Sequence, residues 1–189
     1  ARAGPDARYA PEMPLDLAEL AAPHHTAIVT VEVQADVVGD DSILPDLAAA
    51  SRTMVPNVAA LCRAARAAGV TVCHATAVFR PDFFGSNTNA RLFMATAKRR
   101  GSGAPGPFEP AVLHPGLGAE PADVVVPRYQ GLSALWDTGL DQILRNEGVT
   151  TLVFTGVSVN VAILSTVMDA VNRGYQVVVP RDAVAGVGA

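Results

Sequence analysis

The chain has 189 residues, a formal net charge of −4, and a large hydrophobic fraction in which aromatic residues are few. This length suits a single α/β domain with a core of alanine, valine and leucine, and the acidic balance argues against a nucleic-acid-binding surface. No apolar run reaches the ~20 residues of a membrane span, and the two cysteines lie outside any metal-binding spacing, so we expect a cytoplasmic protein without a membrane partner, metal or cofactor.

Strands and helices alternate along the chain. Residues 1–23, rich in proline and alanine, are predicted to form an N-terminal arm with a short helix at 15–20, ahead of a domain at 24–189. Apolar and β-branched runs then predict five strands, at 26–33, 70–77, 123–126, 150–155 and 176–180. Apolar residues at helical spacing predict helices at 56–68, 138–148 and 161–173, while residues 87–100 form either a helix or part of a loop-rich insertion. This order predicts an α/β fold, a Rossmann-like three-layer sandwich in which a parallel sheet of five or six strands carries helices on both faces.

Two charged residues come at the carboxyl ends of predicted strands, where doubly wound sheets bind their ligands. Glu32 ends the first strand and Arg128 follows the strand at 123–126. A carboxylate within an apolar strand is costly to bury unless it is paired or neutral. Two interpretations stay open: a salt bridge with Arg128 that only ties two strands together, or an acid/base carboxylate whose pKa is set by that arginine and by apolar walls.

A glycine turn follows the strand at 150–155 and leads into a helix. The first N–H groups of a helix have no intrahelical partner, so this turn offers donors to a carboxylate, a phosphate or a developing oxyanion. The candidate substrate-binding residues of the turn are Val157, Ser158, Asn160 and Val161. For Ser158, a role as helix N-cap is the competing interpretation.

Further candidate substrate-binding residues lie near the other strand ends; they are Gln34, His74, Phe79, Tyr129 and Trp136. A lone histidine in a strand is also typical of a hydrogen-bonded core residue. The aromatic and polar loop that begins at Phe79 either walls a pocket or caps the core. The basic triplet 98–100 is predicted to be a solvated loop or helix end.

Four ordered segments carry a resemblance to a known family. They are Val31-Glu32-Val33-Gln34-Ala35-Asp36, the stretch from Arg128 to Leu140, the turn Thr155-Gly156-Val157-Ser158-Val159-Asn160-Val161-Ala162, and the stretch from Asp169 to Ala183. In this order and spacing they resemble the Asp-x-Gln-x-Asp strand end, the Lys-x-Arg-x-Ser-Ala-Phe segment, the Thr-Gly-Val-x-x-Asn-Val-Cys turn and the ending of the isochorismatase-like hydrolases, also called cysteine hydrolases. The resemblance covers 26–183 and implies the same Rossmann-like fold.

The resemblance also implies a catalytic triad of an aspartate base, a lysine and a cysteine nucleophile, from which this sequence departs. Glu32 takes the aspartate position, and Ala162 takes the cysteine position, where it has no group that attacks a carbonyl. Counting along the chain places either Arg128 or Tyr129 at the lysine; we prefer Arg128, because a cation beside Glu32 avoids an unpaired buried carboxylate. The metal motif of the family's nicotinamidases, Asp-x-His with a later His, does not occur in the sequence.

We therefore predict an isochorismatase-like hydrolase that acts on a small organic acid, ether or amide by acid/base chemistry without a cysteine nucleophile. Glu32 is its expected acid/base, Arg128 the electrostatic partner and anion anchor, and the N–H groups of 158–162 the oxyanion cradle. The alternative is a non-catalytic homologue that keeps the fold as a small-molecule-binding or structural protein. The resemblance further implies a homo-oligomer and a chain that normally continues beyond Ala183.

Overall fold

The sheet of this protein is parallel throughout. The computed structural model describes residues 16–188. Its strands are β1 (Thr26–Val31), β2 (Thr71–Ala77), β3 (Val124–Arg128), β4 (Thr151–Val157), β5 (Gln176–Val178) and β6 (Val184–Ala185). Their order is β3-β2-β1-β4-β5, and β6 pairs with β4 beyond the end of β5. The five predicted strands are confirmed, whereas β6, with two residues, was too short to leave a pattern in the sequence.

Seven α-helices within residues 16–188 connect and cover the strands. They are α1 (Leu17–Leu20), α2 (Ala35–Val38), α3 (Pro45–Ser51), α4 (Met54–Ala67), α5 (Arg91–Arg100), α6 (Leu140–Asn146) and α7 (Leu164–Asn172) among the described residues. A wider helical turn, Val159–Ile163, leads directly into α7. The sequence analysis did not predict α2 and α3. Helix α2 has only four residues, and α3 carries a single large apolar side chain, Leu47, so neither shows a helical repeat of apolar residues.

Two hydrophobic cores cover the two faces of the sheet. Successive side chains of a strand point to opposite faces, so Val29 of β1 belongs to one core and Ile28 to the other. Helices α6 and α7 contribute Leu140, Leu144 and Ala170 to the first core, and α4 contributes Val58 to the second. The predicted three-layer sandwich is therefore confirmed.

Several sequence predictions concern parts of the chain away from the sheet. Residues 1–15 of the predicted arm lie outside the described residues, and the predicted short helix is described as α1. On α7, the exposed apolar side chains of Leu164, Met168 and Val171 share one helix face. Self-association through such a face stays a prediction. Within 16–188, none of the helices combines the length and the apolar character needed to cross a bilayer.

Candidate active site

A cavity of about 140 Å³ lies beyond the carboxyl ends of β1 to β4. Each of these four strands contributes a residue at its end to the lining; they are Glu32, Ala77, Arg128 and Ser158. Apolar side chains from α2, α3, α5 and the loop after β2 form most of the walls; they include Val37, Leu44, Leu47, Phe79, Phe83, Leu92 and Phe93. The strand order reverses between β1 and β4, so the cavity lies where ligands bind in sheets of this kind.

Glu32 and Arg128 form an ion pair on the cavity wall. Arg128 donates one hydrogen bond to Glu32 Oε1 and another to the carbonyl oxygen of Gly131. The two side chains are 18% and 8% exposed. They come from strands that β2 separates, and Ala77 at the end of β2 has only a methyl side chain there, which leaves room for them to meet. Tertiary structure thus brings together the acid and the cation that the sequence analysis paired.

Glu32 has an unusual backbone conformation, and its carboxyl group has a raised pKa. Its φ angle is +54°, in the left-handed region that residues with a Cβ rarely adopt, and its N–H donates to Ala75 O at 2.9 Å. Burial raises the pKa of the carboxyl above its ordinary value, and Arg128, which lowers the pKa, does not cancel that effect. A carboxyl group with a raised pKa donates a proton closer to neutral pH than an exposed glutamate does.

Ala162 faces the same cavity from the turn that precedes α7. The two cysteines of the chain, Cys62 on α4 and Cys73 on β2, are buried in the two hydrophobic cores and do not line this cavity. Burial raises the pKa of Cys62 to about 11 and that of Cys73 to about 12. Both thiols are therefore protonated and shielded at neutral pH, as expected for structural cysteines.

The turn after β4 divides the residues that were predicted to bind substrate. Ser158 and Val161 line the cavity, whereas Val157 is buried in the core beneath it. Asn160 points elsewhere, because its amide donates to Val187 O at 3.1 Å. The Ser158 hydroxyl donates to Asn160 Oδ1 and makes no capping bond to the helix backbone.

The aromatic candidates also separate. Phe79 and Tyr129 line the cavity, and Tyr129 packs against Phe108 with ring centroids 4.5 Å apart. Trp136, in contrast, is 58% exposed and does not reach the cavity. Of the two residues that counting left open for the family's lysine position, Arg128 is the one whose side chain contacts Glu32, while Tyr129 turns toward Phe108.

Gln34 supports the strand ends and does not line the cavity. Its side-chain oxygen accepts from Ala77 N at 2.9 Å, and its nitrogen donates to Ala77 O at 3.0 Å and to Asp36 at 2.8 Å. Both ends of the Gln34 side-chain amide are therefore bonded within the protein and are not free to bind a substrate. Gln34 is fully buried, and it joins the segment after β1 to the end of β2.

His74 lies in a buried network in the middle of β2 and does not line the cavity. Thr30 Oγ1 is 2.8 Å from His74 Nδ1, and an Asp123 oxygen is 3.0 Å from Nε2. Arg66 completes the network with two hydrogen bonds to Asp123, which precedes β3 at the amino end of the sheet. The structure therefore places His74 away from the cavity, in the core role that its pattern also permitted. Burial lowers its pKa, although Asp123 acts in the opposite direction.

We expect Asp123→Asn to lower the free energy of unfolding by about 2 kcal/mol at pH 7. Burial alone would raise the pKa of Asp123, but hydrogen bonds from Arg66, the Glu120 amide and His74 outweigh it and lower the pKa to about 2. Because the folded-state pKa lies below the ordinary value of 3.8, the stabilisation is complete above pH 4 and is lost as the pH falls toward 2.

Urea unfolding from pH 7 to pH 2 tests this expectation. The difference in stability between parent and Asp123→Asn should shrink over the acidic part of this range. Glu120→Gln serves as the control, since Glu120 pairs with the same Arg66 at 3.3 Å but is largely exposed, and exposed pairs contribute little. A constant difference at every pH would contradict the assigned pKa of Asp123.

The sequence analysis missed the wall that α5 provides. Phe93, Thr96, Ala97 and Arg100 all line the cavity, at the spacing of one helix face. Of the basic triplet, Lys98 and Arg99 are exposed as predicted, but Arg100 turns inward. The helical spacing of residues 93, 96, 97 and 100 in the sequence could have indicated that these side chains share one face. Among the described residues there is no cluster of three side chains suited to holding a metal ion.

Comparison with known proteins identifies the family of this chain. The model of the family described as "Isochorismatase domain" matches residues 26–189. The chain belongs to the isochorismatase family. Two similar relatives are both named ureidoacrylate amidohydrolase RutB: one from Methylorubrum extorquens is 35% identical over 71% of this chain and 58% of its own, and one from Pseudomonas syringae pv. syringae is 30% identical over 95% and 78%.

The fold of the isochorismatase family is also evident among solved structures. A cysteine hydrolase from Pseudomonas syringae pv. phaseolicola superposes with a TM-score of 0.71 at 26% identity, over 87% of this chain and 74% of its own. The chain spans under two thirds of the length of the Methylorubrum relative. The activities in these names therefore describe those proteins.

Proposed function

We propose that this member of the isochorismatase family is a hydrolase that acts on a small organic acid, ether or amide by acid/base chemistry, without a cysteine nucleophile. The observation that supports the proposal most directly is the Glu32–Arg128 pair, which shares a small, mostly apolar cavity with the methyl group of Ala162. The cavity is lined by an acid and a cation, and the chain's two thiols are buried elsewhere.

In the proposed reaction, protonated Glu32 donates its proton to the leaving oxygen or nitrogen as the bond from that atom to carbon breaks. Water adds to the same carbon and gives a proton to the Glu32 carboxylate, which restores the starting state. Arg128 stabilises the carboxylate between these two transfers. For an amide, water adds to the carbonyl carbon before the bond to nitrogen breaks, and N–H groups of the turn before α7 would donate to the resulting oxyanion, except that of Val161, which donates to Ser158 O at 3.0 Å.

Removing the acid tests this mechanism. We expect Glu32→Gln to lower turnover by about 10²- to 10⁴-fold, because glutamine neither donates nor accepts the transferred proton. Turnover is measured on a panel of esters, amides and enol ethers that includes ureidoacrylate, the compound named for the relatives. Glu147→Gln, at the exposed C-cap of α6 and outside the cavity lining, is the control and should keep full activity.

A non-catalytic, small-molecule-binding protein is the second candidate, and the alanine at 162 favours it, because the family's nucleophile position carries a methyl group. This candidate predicts no turnover of any panel compound by either the parent or Glu32→Gln. It also predicts that compounds which enter the cavity still raise the melting temperature of both forms. Turnover by the parent that depends on Glu32 would exclude it.

A further inference from the structure

Helix α5 places a second guanidinium group on the wall of the cavity. Arg100, the last residue of α5, lines the cavity with a side chain that is 24% exposed. It donates a hydrogen bond to Asp36. Its Cζ atom lies 4.8 Å from the ring centroid of Phe79, another lining residue, so the planar group stacks on an aromatic wall. The Asp36 contact and the Phe79 ring hold the guanidinium in one orientation.

Two polar atoms of the lining residues are buried without a hydrogen-bond partner. They are Nε of Arg100 and Oγ of Ser86, neither of which contacts a donor or acceptor within residues 16–188. A buried, unpaired polar group costs roughly 1–3 kcal/mol, and more when it is charged. An arginine N–H is satisfied only by an acceptor, and a serine hydroxyl also pairs with one. Both atoms therefore favour an acceptor group on a ligand.

Two arginines and one carboxylate line the cavity. The ionisable acid and base side chains that line it are Glu32, Arg128 and Arg100. Glu32 pairs with Arg128, and Asp36, the partner of Arg100, lies outside the lining. Each arginine thus has a carboxylate partner, and the preference for an acceptor comes from the unpaired Arg100 Nε and Ser86 Oγ. Its apolar walls suit the uncharged part of a ligand, and they oppose a strongly hydrated dianion such as phosphate.

We infer that Arg100 and Ser86 bind the carboxylate of a substrate whose remaining part is small and apolar. A planar carboxylate matches the fork of a guanidinium group, which donates two parallel hydrogen bonds to it. The inference rests on the proposed function, since it leaves Glu32 and Arg128 to act on the bond that is hydrolysed. It makes Arg100 a specificity-determining residue that selects organic acids over neutral compounds of the same shape.

Calorimetric binding of benzoate and of benzamide tests the assignment without requiring turnover. The two probes have the same shape, but only benzoate is an anion. We expect the parent to bind benzoate more tightly than benzamide, and Arg100→Gln to weaken benzoate binding about tenfold or more. Benzamide should lose less affinity than benzoate, because it is neutral and its single carbonyl oxygen cannot pair with both N–H groups of the fork. Arg99→Gln, on the exposed face of the same helix, is the matched control and should bind benzoate like the parent.

Two further variants separate charge from directed hydrogen bonding. Arg100→Lys keeps the positive charge beside Asp36 but removes the Nε donor, so we expect it also to weaken benzoate binding. Ser86→Ala should weaken it as well, with the chain's fold checked by circular dichroism in each case. Equal binding of benzoate by parent and both Arg100 variants would overturn the assignment. Equal affinity of the parent for benzoate and inorganic phosphate would overturn the carboxylate class.

Failure of this inference differs from failure of the proposed function. If no compound is hydrolysed but benzoate binds through Arg100, the anion site stands and the hydrolase proposal fails. If neutral amides or ethers are hydrolysed through Glu32 while benzoate does not bind, the hydrolase proposal stands and the anion site fails.

Discussion

Replacing Ala162 with cysteine is expected to create one reactive thiol in a protein that otherwise has none. Ala162 is 3% exposed and packs in the same core as Ala170, but unlike Ala170 it also lines the cavity, through which we expect a small reagent to reach it. A thiol there lies in a helical turn that leads into α7 and shares the cavity with Arg128, and helix N-termini and cations both lower a thiol pKa. We expect iodoacetamide to modify about one site per native chain in Ala162→Cys and none in the parent.

The two native cysteines should not react with iodoacetamide and so should not add to the labelling. Cys62 and Cys73 are buried, and their raised pKa values leave them protonated at neutral pH. Ala170→Cys is the matched control, because Ala170 lies on α7 but is buried in the core away from the cavity. Mass spectrometry should locate the label at residue 162 alone. Equal labelling of Ala170→Cys would contradict the prediction, because it would show that the reagent reaches residue 162 by unfolding of the chain and not through the cavity.

The same variant tests whether the cavity retains the geometry for acyl transfer. We expect Ala162→Cys to release a burst of about one nitrophenol per chain from p-nitrophenyl acetate, because the thiolate forms a covalent acyl-enzyme. Combining it with Glu32→Gln should slow the burst if Glu32 accepts the thiol proton. A thiol at 162 that is labelled but forms no acyl-enzyme would contradict the placement of an oxyanion cradle at the turn.

Gly156→Ala is expected to lower the free energy of unfolding by about 4 kcal/mol or more, enough to prevent folding in a domain of ordinary stability. Gly156 pairs with Val31 in the register of β4 and β1 and has φ of +102°. A Cβ atom there would lie 2.3 Å from Val31 O and 2.8 Å from Val33 Cγ2. A carbonyl oxygen in the sheet has no freedom to move aside, so the two central strands would separate next to the cavity.

Gly148→Ala controls for the backbone conformation alone. Gly148 also has a positive φ, +72°, but a Cβ atom there would meet no atom within 4 Å. We expect it to cost about 1 kcal/mol, the strain of a left-handed residue. Urea unfolding, or the yield of folded protein where Gly156→Ala does not fold, compares the two. Equal stabilities would contradict the close approach of β4 and β1 at this position.

The pairing of Glu32 with Arg128 was predicted from the sequence, because a charged residue at the carboxyl end of an apolar strand needs a partner. The same reasoning also predicted that Gln34 and His74 bind substrate, but neither residue lines the cavity. A polar residue in an apolar strand is visible in the sequence, whereas the groups that satisfy it are not. Gln34 bonds to the backbone of Ala77, and His74 bonds to Asp123, each more than forty residues away along the chain.

Arg100, in contrast, was predicted to face solvent, but it lines the cavity. Three consecutive basic residues are typical of a solvated helix end, and two of them are exposed. The orientation of α5 against the loop after β2 turns the third onto Phe79, and that orientation depends on packing between segments distant in sequence.

Strand and helix order, the parallel sheet and the end of the sheet that carries the site followed from the sequence, because they depend on local periodicity and on the handedness of crossover connections. Which polar side chains face the cavity was decided by tertiary structure. Each such side chain is held by its partners, and those partners come from other strands and helices that only folding brings within hydrogen-bond distance.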